Sequence, residues 1–229
     1  MVTTSVVALG VRKGNPKGIK GWEDLTKPGI EVLYPSPKTS GGAMWDIIAI
    51  YGAGQKLGKQ RGQSDSEAEH YAVDLLKRTQ RNVKVMDKSG RESVTTFERG
   101  VGDVIVTYEN ELAPRIKQGR PYELIIPNET VLVENPIAVV DRNVDRHRVR
   151  DIAQAFVSFL HDEEAQRAFA EFAFRPTHPS VATTTAALFP RPSQLFTISE
   201  LGGWDKLFSS LFSPEGSWSR AVEELARRQ

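Results

Sequence analysis

Val32-Leu-Tyr-Pro-Ser-Pro-Lys-Thr-Ser-Gly-Gly-Ala-Met-Trp45 is the stretch from which the rest of the chain is best read. The apolar run Ile30 to Tyr34 has the make-up of a short buried strand. Pro35 and Pro37 end it, because proline donates nothing to a sheet ladder and holds its predecessor in extended geometry. Thr39-Ser40-Gly41-Gly42 follows, and the apolar spacing from Ala43 to Tyr51 predicts a helix. The order is strand, Ser-Gly-Gly turn, helix. A helix start carries unpaired backbone N–H groups and about half a positive charge. Two glycines there allow close backbone approach to a bound group, and the Ser40 hydroxyl adds a donor, so the stretch suits an anion. Ser40 as a plain helix cap, with the glycines only turning the chain, accounts for the same residues.

The 229 residues are 39 % hydrophobic and 26 % charged, with a formal net charge of +1. Those values fit one large or two small folded domains and give no global field toward nucleic acid or an anionic membrane. With no cysteine, disulfides, thiol catalysis and cysteine metal sites are excluded. His70, His147, His161 and His178 lack ligand spacing, so no metal and no cofactor is expected. No nucleophile elbow, phosphate-loop lysine motif, dinucleotide fingerprint or zinc-protease motif occurs, and the chain is read as a non-enzyme. Glu109 and Glu111, alternating on an extended chain, would share one side but have no nucleophile or metal to act with. Met1-Val-Thr-Thr4 leads directly into a strand without the regions of a signal peptide, and no run approaches membrane-spanning length.

Outward from the Ser-Gly-Gly turn, Ser5 to Val11 reads as a buried strand and Trp22 to Leu25 as a helical turn. Gln55 to Glu67, rich in Gly, Lys, Gln and Ser, is expected to be an exposed loop, and Glu67 to Thr79 a helix. Val83 to Met86 and Val104 to Tyr108 are expected strands, with a loop over Asp87 to Ser93 and a short helix over Val94 to Arg99. Glu123–Ile126, Val131–Val133 and Ile137–Val140 continue the strand pattern. Arg142, Arg146, Arg148 and Arg150 alternate with Asp141, Asp145 and Asp151, as on a solvated helix start. Val149 to Phe172 has helical periodicity with a break at Leu160–Asp162, and Trp204–Phe212 and Trp218–Arg228 read as terminal helices. Strands alternating with helices imply an α/β sheet with buried parallel strands.

Val11-Arg-Lys-Gly-Asn-Pro-Lys-Gly18, Trp22-Glu-Asp-Leu25, Pro35-Ser-Pro-Lys-Thr-Ser-Gly-Gly-Ala-Met-Trp45, Thr95-Thr-Phe97, Gly102-Asp103, Glu109-Asn-Glu111, Val139-Val-Asp141 and Phe196-Thr-Ile198 together resemble the periplasmic sulfate/thiosulfate-binding proteins of ABC importers. The likeness runs through nearly the whole chain in order. It implies the two-lobe α/β periplasmic-binding-protein fold, with two crossing segments and the anion held between the lobes. Family members begin with a further segment that supplies the first strands and helices of lobe one. The resemblance therefore implies a chain without that segment, with one lobe incomplete: residues 12–132 as the middle lobe, and 1–11 with 133–229 as the remainder of the other. Phe156, Phe159, Phe169 and Phe172 then read as core, some of them left exposed and prone to self-association.

By resemblance, the anion contacts fall on Ser40 through its hydroxyl and on Gly41 and Gly42 through backbone N–H. Gly90 stands for a loop residue, usually alanine, that offers another N–H. Tyr108 stands where many relatives have tryptophan, and its phenol can accept as well as donate. The implied partners are sulfate or a related oxyanion and ABC permease subunits, in a periplasmic or extracytoplasmic setting, with no nucleic acid. Sulfate has no proton near neutral pH, so a pocket of neutral donors satisfies it and penalises the O–H of phosphate. Exclusion of phosphate then follows from an absent carboxylate, with Glu109 as the residue that would spoil it by facing the pocket. The alternatives are another oxyanion (molybdate, tungstate or phosphate) or a truncated fragment without competent binding.

Overall fold

In a computed structural model that describes Met1 to Arg227, the apolar run at the start forms β1 (Thr3–Arg12). A 3₁₀ turn at Trp22–Thr26 precedes β2 (Val32–Leu33), α1 (Gly41–Gln60), α2 (Asp65–Arg81) and β3 (Val83–Val85). Then come α3 (Gly90–Glu98), β4 (Val104–Tyr108), α4 (Glu109–Lys117), β5 (Tyr122–Ile125) and β6 (Glu129–Asn135). The chain continues through α5 (Asp141–His147), α6 (Arg150–Phe159), α7 (Glu163–Glu171), β7 (Arg175–Pro176), α8 (Pro179–Thr184) and β8 (Gln194–Phe196). It ends with α9 (Gly203–Leu207), a π-helical turn at Phe208–Phe212 and α10 (Ser217–Ala226). Arg228, expected at the end of the last helix, lies outside the described residues. None of the described helices is long and apolar enough to cross a membrane.

Contacts divide the chain into two units, Val6–Leu132 with Pro192–Gln229, and Met1–Ser5 with Val133–Arg191. In the first, β2 is parallel to both β3 and β4, and β6 is parallel to β8. β1 is antiparallel to β4 and β5, so the sheet is mixed rather than the parallel one expected. A continuously apolar strand reports that both of its faces are covered and carries no information on direction. Leu33, Val94, Phe97, Ile105, Leu112 and Tyr122 form a buried cluster between this sheet and the helices α3 and α4.

The expected loop over Gln55 to Glu67 is mostly helix. α1 runs unbroken to Gln60, and α2 starts at Asp65 under a reciprocal Ser64/Glu67 cap. A Cβ on Gly54 would lie 2.5 Å from the Ala72 Cα, and one on Gly58 would lie 2.8 Å from the Ala68 Cα. These glycines are therefore where the two helix backbones touch, and packing overrides their low helix propensity. The segment from Pro192 on, grouped by sequence with residues 133 onward, makes its contacts with Val6–Leu132. The physical reason is visible in the pairs it makes. Trp204 packs edge-to-face on Trp45 at 4.9 Å, the Trp218 indole donates to the Tyr34 phenol at 3.1 Å, and Lys56 pairs with Glu200.

In the second unit, β7 pairs antiparallel with the first residues of β1. Buried Gln166 ties the unit together: its amide donates to the Val2 and Leu160 carbonyls at 2.8 Å, and its oxygen accepts from the Thr177 and His178 N–H groups. Arg150 bridges Asp141 and Asp145, as the alternating charges suggested. Ile137–Val140 forms no strand; it leads extended into α5, and Val140 is exposed. Ile152, Phe156 and Phe159 on α6 and Phe172 beyond α7 are exposed, so three of the four phenylalanines read as core lie on the surface. The pattern is that of an amphipathic helix whose apolar stripe has no cover among the described residues.

Candidate functional site

Three strand-to-helix connections of the larger unit end at one place. β2 leads into α1, β3 into α3 and β4 directly into α4, and the three strands are parallel to one another. Their carboxyl ends thus present three helix N-termini on one side of the sheet, where open α/β sheets bind ligands. A cavity of about 390 Å³ opens there, lined by Ser40, Gly42, Asp46, Gly90, Arg91 and Tyr108, with Pro35, Ser89, Thr107 and Glu111.

The connections hold one another. The Ser36 N–H donates to the Asp87 carbonyl at 2.8 Å, and the Thr39 hydroxyl donates to the Lys88 carbonyl at 2.8 Å. Ser36 in turn accepts from the Ser40 N–H at 2.9 Å, so the starts of α1 and α3 are fixed against each other. Ser40 occupies the N-cap position of α1 in extended geometry, yet its side chain makes no cap bond. The cap reading therefore does not account for its hydroxyl. Ser89, by contrast, caps α3 by accepting from the Glu92 N–H at 3.3 Å, which leaves Gly90 and Arg91 in the first turn. Gly90 thus opens a helix instead of lying in the expected loop, and the Ser89-x-x-Glu92 spacing is the signal that would have found it.

Of the residues singled out from sequence, Ser40, Gly42, Gly90 and Tyr108 line the cavity together, while Gly41 is adjacent and not in its wall. A Cβ on Gly42 would lie 3.1 Å from the Tyr108 phenol oxygen, whereas one on Gly41 or Gly90 would meet open space. Of these three glycines, only Gly42 stands where a side chain would be crowded by a neighbour. Burial is the largest cause that pushes the Tyr108 phenol far above its ordinary range, with Asp46 and Glu111 adding to it. The phenol stays protonated and is a standing donor.

The expectation of a cavity without carboxyls is corrected. Glu109, the residue expected to threaten it, is buried outside the wall, but Asp46 and Glu111 line it. Glu109 and Glu111 open helix α4 instead of alternating on a strand, so their shared side is lost. The Glu111 carboxylate is paired with Arg115 at 2.8 Å. Asp46 was missed because its burial comes from residues distant in sequence. Arg91 was missed because it lay inside the expected loop over Asp87 to Ser93 and is instead in the first turn of α3. No group of three or more metal-ligating side chains occurs among the described residues.

Residues 1–175 match the family model described as bacterial extracellular solute-binding protein. A sulfate-binding protein of Synechococcus elongatus is 40 % identical over 98 % of this chain and 62 % of its own length. A thiosulfate-binding protein of Escherichia coli is 34 % identical over 95 % of this chain and 63 % of its own length. The solved structure of the sulfate-binding protein SubI from Mycobacterium tuberculosis superposes with a TM-score of 0.82 at 39 % identity, over 92 % of this chain and 70 % of that one. A periplasmic thiamin-binding protein, 16 % identical with a TM-score of 0.65, shares the fold alone. The chain spans about 62 % to 65 % of the length of the curated relatives it matches. With its α/β sheet and helix-start cavity, this chain belongs to the bacterial extracellular solute-binding protein family, alongside the sulfate- and thiosulfate-binding proteins.

Proposed function

We propose that the chain binds sulfate or thiosulfate for ABC-type import, through hydrogen-bond donors at the cavity where α1, α3 and α4 begin. The single observation that carries this is Ser40: it stands at a helix N-cap, makes no cap bond, and lines the cavity. Its hydroxyl, the N–H groups of Gly41, Gly42 and Gly90 and the Tyr108 phenol supply the donors; helix-start dipoles and Arg91 supply positive potential. The sulfate- and thiosulfate-binding relatives support the ligand class. Binding without catalysis, in an extracytoplasmic compartment and with permease subunits as partners, completes this reading. Exposed apolar residues of α6 promote self-association of the isolated chain.

Isothermal titration calorimetry of the chain with sulfate, thiosulfate, phosphate and molybdate tests the proposal. Sulfate or thiosulfate heat exceeding that of phosphate is expected, since the Glu111 carboxylate of the wall is already paired with Arg115. Ser40→Ala and Tyr108→Phe each delete one donor to the anion, worth about 1.5–3 kcal/mol, so each is expected to weaken binding roughly 10- to 150-fold. Heat with molybdate in preference to sulfate, or no heat with either sulfur oxyanion, refutes it.

A further inference from the structure

Asp46 is the one acidic side chain of the cavity wall that is almost wholly buried, at 2 % exposure. It lies one helical turn beyond Gly42, and helix side chains lean toward the N-terminus, so its carboxyl leans toward the cavity. Its Oδ1 is buried without a hydrogen-bond partner among the described residues. Neighbouring titratable and charged groups come from every element around it: Tyr34 after β2, Arg91 on α3, Tyr108 at the end of β4 and Glu111 on α4. Neither phenol donates a hydrogen bond to it: Tyr34 donates to the Gln80 side-chain oxygen and Tyr108 to the Gly42 carbonyl. A buried carboxyl with no donor aimed at it is poorly suited to carry charge, and burial pushes Asp46 well above the ordinary aspartate range.

We propose that Asp46 is a proton-bearing specificity residue: it enters the complex as a neutral acid, donates its O–H to a fully ionised tetrahedral oxyanion, and so couples oxyanion capture to pH. The role rests on the sulfate reading above and deepens it. An ionised Asp46 would place a second negative charge beside the dianion in the same small cavity. The neutral acid instead adds one more donor to the helix-start N–H groups, and bound dianion holds that proton more firmly by linkage. Above the pH at which free Asp46 ionises, each sulfate therefore takes up one proton from solvent.

The test compares the full chain with Asp46→Asn, whose amide donates at every pH. Sulfate affinity of the unsubstituted chain should be flat at low pH and then weaken by about tenfold per pH unit above the Asp46 titration, across a scan of roughly pH 5 to 9. Titrations in two buffers of different ionisation enthalpy should report the uptake of one proton per sulfate in the sloping range. Asp46→Asn should be flat, with no uptake. A second readout needs no ligand: the folded form keeps the Asp46 proton while the unfolded form loses it. Stability of the unsubstituted chain relative to Asp46→Asn should therefore fall as pH rises above the unfolded aspartate range, and level off beyond the folded titration. Sulfate binding with identical slopes in the two proteins overturns the role alone. Preference for hydrogen phosphate, lost in Asp46→Asn, overturns it in favour of an ionised acceptor. No sulfate binding at any pH overturns the sulfate reading and this role together.

Discussion

Arg12, the last residue of β1, is expected to be one of the costliest positions in the larger unit. Its Nε and Nη2 donate to the Gly102 carbonyl at 2.9 and 2.7 Å, Nη2 also to Val101 at 2.6 Å, and Nη1 to Phe97 at 2.8 Å. The guanidinium also stacks 3.8 Å from the Phe97 ring centre. The fork thereby closes the turn that joins α3 to β4, two of the elements that frame the cavity. A bond from a charged donor contributes about 1.5–3 kcal/mol. The four bonds share one half-buried group and water replaces part of them, so Arg12→Ala is expected to cost about 3–4 kcal/mol instead of their sum. Arg12→Lys reaches one carbonyl as a point charge and loses the stack, for a cost of about 2–3 kcal/mol. Urea unfolding followed by tryptophan fluorescence isolates this unit, because Trp22, Trp45, Trp204 and Trp218 all belong to it. With a slope of roughly 2 kcal/mol per molar, the alanine variant should unfold about 1.5–2 M earlier. A shift under about 0.5 M for Arg12→Ala, or none for Arg12→Lys, would show that solvent replaces the fork and would refute the argument.

Two further predictions concern packing. Gly54→Ala would raise stability by about 1 kcal/mol in an open helix. Here its Cβ meets the Ala72 backbone, and overpacking makes the expected net effect a loss of about 1–2 kcal/mol by the same urea assay; a gain would mean that α1 and α2 separate freely. The chain is expected to sediment faster as its concentration rises, and Ile152→Ser combined with Phe156→Ser on α6 should abolish that dependence. Unchanged sedimentation of the double variant would place self-association elsewhere.

Much of the cavity was legible in one dimension because it is built from local signals. Pro35 and Pro37 stop a strand, Ser40-Gly-Gly starts a helix, and the apolar run Val104–Tyr108 ends at a residue that lines the cavity. Composition misleads at residues 55–60, where a stretch rich in small and polar residues is helix because a second helix presses on the backbone at Gly58. The 137–140 segment failed in the opposite sense: four apolar residues promised a strand, but none of them found a ladder partner.

By itself the sequence determined the α/β class, the family, and the helix start at Ser40–Gly42, since each is carried by local motifs read in chain order. Only the tertiary structure decided that the starts of α1, α3 and α4 converge, that β1 runs antiparallel, and that Pro192 onward packs with Val6–Leu132. It also decided the character of Asp46, whose burial no local pattern on α1 announces. The physical reason is the same in each case: burial, strand direction and electrostatic environment are set by groups distant in sequence, and no local pattern encodes which of them arrive.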